Sequence, residues 1–179
     1  MRIPMFAGLL ATGLALALTS PSRGADTMDS GRGVLDDSRF VKKAANIDMY
    51  EIEAAKLAQT KTARADIKNY ASRMVKDHTA TEGQLKSATG SNSELKLPKE
   101  MGKRHKALIA ELRGKNGKDF DELYLVQEIN SHNAAVMLFT REGRTGKDPD
   151  VKKFAAETLP MLTKHLSMAQ GLRKGGAAP

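Results

Sequence analysis

The chain has 179 residues, a formal net charge of +8 and no cysteine. Its length suits one domain with short appendages, and the missing cysteine excludes disulfides and lipid anchoring through a cysteine. Only 4% of the residues are aromatic, and the basic residues are scattered, so a surface that stacks nucleic-acid bases is excluded. We therefore expect no nucleic-acid partner.

Residues 1–24 have the pattern of a secretory signal peptide. Arg2 precedes an apolar run over residues 6–18, and small and turn-forming residues follow it. The run is shorter than the roughly 20 residues that a membrane-spanning helix needs. The pattern predicts export to the periplasm with cleavage after Ser22 or Gly24. In that compartment a basic protein would meet anionic lipid head groups or cell-wall polymers.

Helical periodicity begins after residues 25–37, a segment rich in Gly, Ser and Asp that is predicted to be a flexible leader. Asp37 or Ser38 is placed to cap the first long helix. Its apolar residues recur every three or four positions, and Glu51 lies on the same stripe. The second long helix repeats the pattern and points His78 inward.

The second half of the chain repeats this plan after a loop and a short helix, "KEMGKRHKALIAELRGK". The third long helix places Glu128 and His132 one above the other, because they are four residues apart. The fourth carries His165 on its apolar stripe and contains Pro160, which predicts a kink. Residues 174–179 are predicted to be a disordered tail.

The order of these elements predicts an all-α fold over residues 38–173. Four long helices, with a short extra helix in the crossover between the second and the third, are typical of a ferritin-like four-helix bundle. No segment shows the alternating apolar pattern of a strand.

Four segments of the chain, taken together and in order, resemble a known family. They are "FVKKAANIDMYEIEAAKLA", "YASRMVKDHT", "FDELYLVQEINSHNAAVMLF" and "GKDPDVKKFAAETLPMLTKHL". The chain is similar through them to the exported bacterial proteins grouped as domain of unknown function 4142. The resemblance implies a ferritin-like fold and an extracytoplasmic location, and it implies no activity. Glu128 departs from the family's pattern, so a role for it would be particular to this chain.

The inward polar residues are the candidate metal ligands. Buried imidazoles need partners for their nitrogens, and three of them on core stripes indicate mutual hydrogen bonds or a metal. A mononuclear site of this kind suits zinc, or copper or nickel. We can estimate the height of each ligand by counting residues from the turn that joins the two helices of its pair. At 1.5 Å per residue, the ligands on each helix pair are offset by about 7 Å along the bundle axis, so they need not all converge. The candidate ligands are His78, His132, His165, Glu51 and Glu128.

Other chemistry is disfavoured by the sequence. A ferritin di-iron site needs Glu-x-x-His pairs, whereas Val75, Ile129 and Leu162 stand three residues before the three inward histidines. We also find no nucleophile elbow and no phosphate-binding glycine loop, so we expect no enzymatic activity. His105 is predicted to lie on the surface, and Asp77 to be a solvent-facing charge rather than a ligand.

Two classes of function follow from these observations. The first is a periplasmic, non-enzymatic bundle that binds a divalent metal and serves envelope homeostasis or stress. The second is a structural or interaction protein without a metal, in which hydrogen bonds satisfy the core histidines and the basic surface contacts membrane or cell-wall anions.

Overall fold

The computed structural model describes residues 36–175. The predicted signal peptide, the leader up to residue 35 and the tail from residue 176 lie outside the described residues. Within residues 36–175 all regular structure is helical, which confirms the predicted all-α fold. The helices are α1 Asp37–Lys61, α2 Ala65–Thr89, α3 Lys103–Arg113, α4 Gly117–Thr145 and α5 Pro149–Arg173.

The four long helices form two antiparallel hairpins, α1 with α2 and α4 with α5, which pack through α1 against α4 and α2 against α5. Lys61, at the end of α1, donates hydrogen bonds to the carbonyl oxygens of Arg113 and Lys115, just before α4. Asp37, at the start of α1, accepts from the turn after α4. The helices α1 and α4 are therefore antiparallel, and the crossover with α3 spans the length of the bundle, as ferritin-like topology requires.

The helix ends differ in detail from those predicted. Asp36, rather than Asp37 or Ser38, caps α1, because its side chain accepts from the Ser38 amide. Asp37 instead accepts from the amides of Lys147 and Asp148, at 3.0 and 2.8 Å. The predicted cap residue thus joins the start of α1 to the turn between α4 and α5.

Pro160 lies inside α5, which runs on through it as one helix. A proline at this position leaves the carbonyl oxygen of Ala156 without its helical donor. Pro160 and Ala156 are both exposed residues of α5. The proline is therefore accommodated within a continuous helix.

The core consists of two apolar clusters, one towards each end of the bundle. The first contains Tyr70, Leu125 and Leu172, and the second contains Phe40, Phe139 and Phe154. A layer of buried polar side chains lies between the two clusters along the helices. None of the helices between residues 36 and 175 is apolar over a stretch long enough to span a membrane.

Candidate metal centre

Each long helix contributes polar side chains to the layer between the two apolar clusters. These side chains lie on the inward stripes because they follow the three- and four-residue spacing of the core residues. No member is more than 3% exposed. The layer contains Asp48 and Glu51 of α1, His78 of α2, Glu128 and His132 of α4, and His165 of α5.

The three histidine rings meet at one point of the bundle. Their centroids are 5.6 Å apart for His78 and His132, 5.5 Å for His78 and His165, and 5.4 Å for His132 and His165. One ring nitrogen of each can be chosen so that all three lie within 4.8 Å of one another. Modest movement would bring such a triangle within reach of one ion, since metal–nitrogen bonds are about 2.0–2.1 Å long.

One nitrogen of each ring lies beside a hydrogen-bond acceptor. We call it the outer nitrogen, and the other one the inner nitrogen. Nδ1 of His78 lies 2.8 Å from Oδ1 of Asp48, and Nε2 of His165 lies 2.9 Å from Oδ2 of Asp77. Nδ1 of His132 lies 2.9 Å from the carbonyl oxygen of Glu128. A carbonyl oxygen only accepts, so His132 carries its proton on Nδ1. The carboxylate partners likewise favour a proton on the outer nitrogen of each of the other two rings.

The inner nitrogens are the ones without a partner. His78 Nε2, His132 Nε2 and His165 Nδ1 are buried and make no hydrogen bond. Burial lowers the pKa of each of these histidines to about 4, because the charged form is poorly solvated there. At neutral pH the rings are neutral, so each inner nitrogen carries a free lone pair. Neutral imidazoles held through their outer N–H by carboxylates or carbonyls are the usual arrangement of metal-ligating histidines.

Glu51 and Glu128 form a second group on the other side of His132. Nδ1 of His132 lies 3.7 Å from Oε1 of Glu51 and 3.7 Å from Oε2 of Glu128. Ser131 donates to Oε1 of Glu51 at 2.5 Å, and Tyr70 donates to Oε2 of Glu128 at 2.8 Å. Burial raises the pKa of Glu128 to about 7 and that of Glu51 well above its ordinary value.

The predicted ligands therefore lie in one layer but divide into two groups that share His132. The expected axial offset between the histidines did not keep them apart. Side chains on a helix tilt towards its N-terminus, so His165 leans towards the turn between α4 and α5 while His132 leans away from it. The two tilts bring the rings to the same height.

Two residues of the site were missed or misplaced by the sequence argument. Asp48 was missed, although it follows Ala44 by four residues and so falls on the same inward stripe. Asp77 was predicted to be a solvent-facing charge rather than a ligand; its side chain is 26% exposed, and its Oδ2 also contacts Nε2 of His165. No spacing within α2 reveals that contact, because the partner belongs to α5.

The prediction that His105 lies on the surface also needs correction. This residue of α3 is half-buried, and its ring packs against Tyr50 with the centroids 5.4 Å apart. Tyr50 in turn donates a hydrogen bond to Gln127 at 2.9 Å. His105 thus helps to dock the crossover on the bundle and lies outside the histidine group.

Solved structures of low sequence identity share this fold. CopM in the Cu(II)-bound form superimposes with a TM-score of 0.66 at 16% identity, covering 78% of this chain and 97% of that one. CopM in the Cu(I)-bound form gives 0.63 at 16%, with 78% and 96% covered. A DUF305 protein from Streptomyces coelicolor gives 0.64 at 12%, with 80% and 97% covered. These likenesses show the helical bundle alone.

No curated protein sequence matches this chain significantly. A family profile described as "Domain of unknown function (DUF4142)" does match it, over residues 20–172. The match spans all four long helices and most of the chain, and it agrees with the resemblance carried by the four quoted segments. The chain belongs to the DUF4142 family.

Proposed function

We propose that this protein is an exported, non-enzymatic metal-binding bundle, and that His78, His132 and His165 hold one divalent transition-metal ion. The observation that carries the proposal is the hydrogen bonding of the ring nitrogens. Every outer nitrogen is hydrogen-bonded and every inner nitrogen is buried without a partner. Leaving a buried acceptor unsatisfied costs about 1–3 kcal/mol, and a shared cation satisfies all three at once.

The charges around the histidines suit a divalent ion. Three neutral imidazoles bring no charge of their own. The carboxyl groups of Asp48 and Asp77 contact the outer nitrogens of His78 and His165 and so lie behind these two rings. Burial raises the pKa of Asp48 to about 7, so a cation bound to His78 would favour ionisation of this carboxyl group. Two ionised carboxylates would balance the charge of the metal and make the bound imidazoles more basic.

The donor set indicates which metals fit. Imidazole suits zinc, copper and nickel, and a three-histidine group leaves a coordination position open. For nitrogen donors the stability of complexes rises to Cu²⁺ and then falls at Zn²⁺. The similar bundle of CopM has been solved with Cu(II) and with Cu(I), which supports copper without deciding between the two metals. We expect Cu²⁺ to bind more tightly than Zn²⁺.

A surface groove lies beside Asp77, on the outer side of His165. It has a volume of about 500 Å³ and is lined by Asn69, Ser72, Arg73, Lys76 and Asp77. Asp77 lines the groove and also contacts His165, so its carboxylate connects the surface with the histidine group.

Metal-dependent stabilisation tests the proposal. A ligand held only by the folded state raises the melting temperature, and at 100 times its Kd the added stability is about 2.7 kcal/mol. We expect Cu²⁺ and Zn²⁺ to raise the melting temperature of the untagged protein near neutral pH, as followed by circular dichroism. Replacing His132 or His165 by Ala should abolish the shift.

The matched control is His105→Ala. It removes the remaining histidine of the chain, which lies outside the group, so the shift should persist. An unchanged melting temperature of the wild-type protein with copper, zinc and nickel alike would exclude the histidine centre.

Export is supported by the signal-peptide pattern of residues 1–24 and by the likeness to a DUF305 protein for which secretion has been proposed. In the periplasm such a bundle would buffer or carry metal ions and so serve envelope homeostasis. Mass spectrometry of the protein from its native host tests this step. Finding Met1 still attached would contradict cleavage.

A further inference from the structure

The structure assigns a second cation site to Glu51 and Glu128, separate from the histidine centre and of different chemistry. We propose that the two carboxylates bind a hard divalent cation such as Mn²⁺. The ligands come from α1 and α4, which pack against each other as neighbouring helices of the bundle. The inference goes beyond the histidine centre, since it concerns another ion and other donor atoms.

The free oxygens of the two carboxyl groups carry this inference. Glu51 and Glu128 are completely buried, and a ligand atom of each lies within 4.8 Å of the other. One oxygen of each is already held by a hydroxyl donor, from Ser131 and Tyr70 respectively. The other oxygen of each, Oε2 of Glu51 and Oε1 of Glu128, is buried without a partner.

A third buried oxygen belongs to the same place. The hydroxyl of Tyr124 is buried beside the two carboxyl groups, and its pKa is raised chiefly by burial and then by the nearby Glu128 and Glu51. A phenol oxygen beside two carboxyl groups is an additional neutral oxygen donor. Tyr124 therefore adds a third buried oxygen close to the two carboxyl groups.

Charge gives the second reason for a cation. Two ionised carboxylates so close together in a dry core repel each other, so both can be ionised only with a positive charge between them. The nearest basic group is His132, whose Nδ1 proton is engaged by the carbonyl oxygen of Glu128. A divalent cation would neutralise both carboxylates and occupy the unsatisfied oxygens.

The donor atoms decide the class of ion. Carboxylate and hydroxyl oxygens suit Mg²⁺, Ca²⁺ and Mn²⁺, whereas the imidazole group next to them suits copper and zinc. The two sites would then take different metals and share His132 between them, its Nε2 facing the histidine centre and its Nδ1 facing the glutamates.

Mn²⁺ is the best probe, because its electron paramagnetic resonance signal separates free from bound ion. The full-length protein is first saturated with Zn²⁺ and then titrated with Mn²⁺ at mildly alkaline pH. We expect uptake of a single Mn²⁺ per chain by the wild-type protein. Uptake should be lost in Glu51→Gln and in Glu128→Gln, which keep the shape of the side chain and remove its charge.

Two variants serve as controls. Glu142→Gln changes another buried carboxyl group in the second apolar half of the bundle, and it should keep the Mn²⁺ site. His165→Ala should lose the zinc-dependent rise in melting temperature and keep Mn²⁺ uptake, which separates the two sites. Circular dichroism of each variant verifies that it is folded.

Several outcomes would overturn the proposal. The wild-type protein could take up no Mn²⁺ while still responding to zinc, in which case the histidine centre stands and the glutamate site falls. Uptake that survives both glutamine variants would place the Mn²⁺ elsewhere, and uptake that vanishes in His165→Ala would make the two groups one site. Mn²⁺ uptake without any zinc response would instead contradict the histidine centre alone.

Discussion

Asp48 and Asp77 each fix one histidine of the centre through its outer nitrogen, at 2.8 and 2.9 Å. A hydrogen bond of this kind sets the orientation and the tautomer of the ring, so the inner nitrogen keeps its lone pair. Asp48 is itself held by Thr81, whose hydroxyl donates to Oδ1 at 2.9 Å. The geometry of the centre therefore depends on residues that would never touch the metal.

Asp48→Asn tests this dependence at the scale of one residue. The amide keeps the size of the side chain and removes its negative charge, so we expect metal affinity at the histidine centre to fall about 10–100-fold. Competition with a chelator of known affinity measures the change. Asp119→Asn, on the exposed first turn of α4, is the matched control. Equal affinities in the two variants would mean that Asp48 does not support the centre.

The sequence predicts the inward residues of the site well, and their partners poorly. Spacings of three and four place Glu51, His78 and His165 on core stripes, because one helix determines which way its own residues face. The contact of Asp77 with His165 depends on how α2 packs against α5, and no local pattern encodes it. The division of the ligands into two groups depends likewise on side-chain tilt in helices that run in opposite directions.

At the scale of elements, α1 is joined to the turn between α4 and α5 by Asp37 and Glu142. Asp37 accepts from two amides of the turn, and the Glu142 carboxyl group lies against it. Gly146 leaves room for this contact, since a Cβ there would lie 2.8 Å from Oε1 of Glu142. The helix lengths and the crossover follow from periodicity, whereas this junction arises only when the bundle is assembled.

The Glu142 junction predicts a pH dependence. Burial first, and then Asp37, raises the pKa of Glu142 from 4.5 to about 8, so the carboxyl group is protonated at neutral pH and can donate to Asp37. Because the folded-state pKa is the higher one, its contribution to stability is complete below about pH 4.5 and is lost as the pH rises through about 8.

The Glu142→Gln side chain keeps a donor for Asp37 and cannot ionise. The variant should therefore become more stable relative to the wild-type protein as the pH rises from about 4.5 to about 8. The difference grows by at most about 1.4 kcal/mol per pH unit. Urea unfolding of both proteins between about pH 6 and about pH 9 measures it, and contributions from all other groups cancel in the difference. Parallel stability curves would mean that Glu142 titrates normally.

At the scale of the whole molecule, the polar layer interrupts a core that would otherwise be continuous. Apolar clusters lie on both sides of it. In one of them, the Phe40 ring packs against the rings of Phe139 and Phe154, with centroids 4.9 and 6.3 Å away. Buried polar groups stabilise a fold less than apolar side chains of the same volume. A purely structural role therefore gives the layer no advantage in stability over an apolar core, whereas the proposed metal centre requires it.

Replacing one buried pair by apolar residues decides between metal binding and a purely structural layer. His78→Leu combined with Asp48→Ala nearly conserves volume and removes both partners together, so we expect the metal-free double variant to be as stable as the wild-type protein or up to about 4 kcal/mol more stable. The single variant His78→Leu should be less stable than both the wild-type protein and the double variant. It leaves the Asp48 carboxyl group buried without His78, and only the Thr81 hydroxyl still donates to it. Denaturant unfolding without metal measures the three stabilities, and the copper-dependent shift should disappear in both variants. A double variant several kcal/mol less stable than the wild-type protein would show that the layer is needed by the fold itself, in which case the histidines complete the core through their hydrogen bonds.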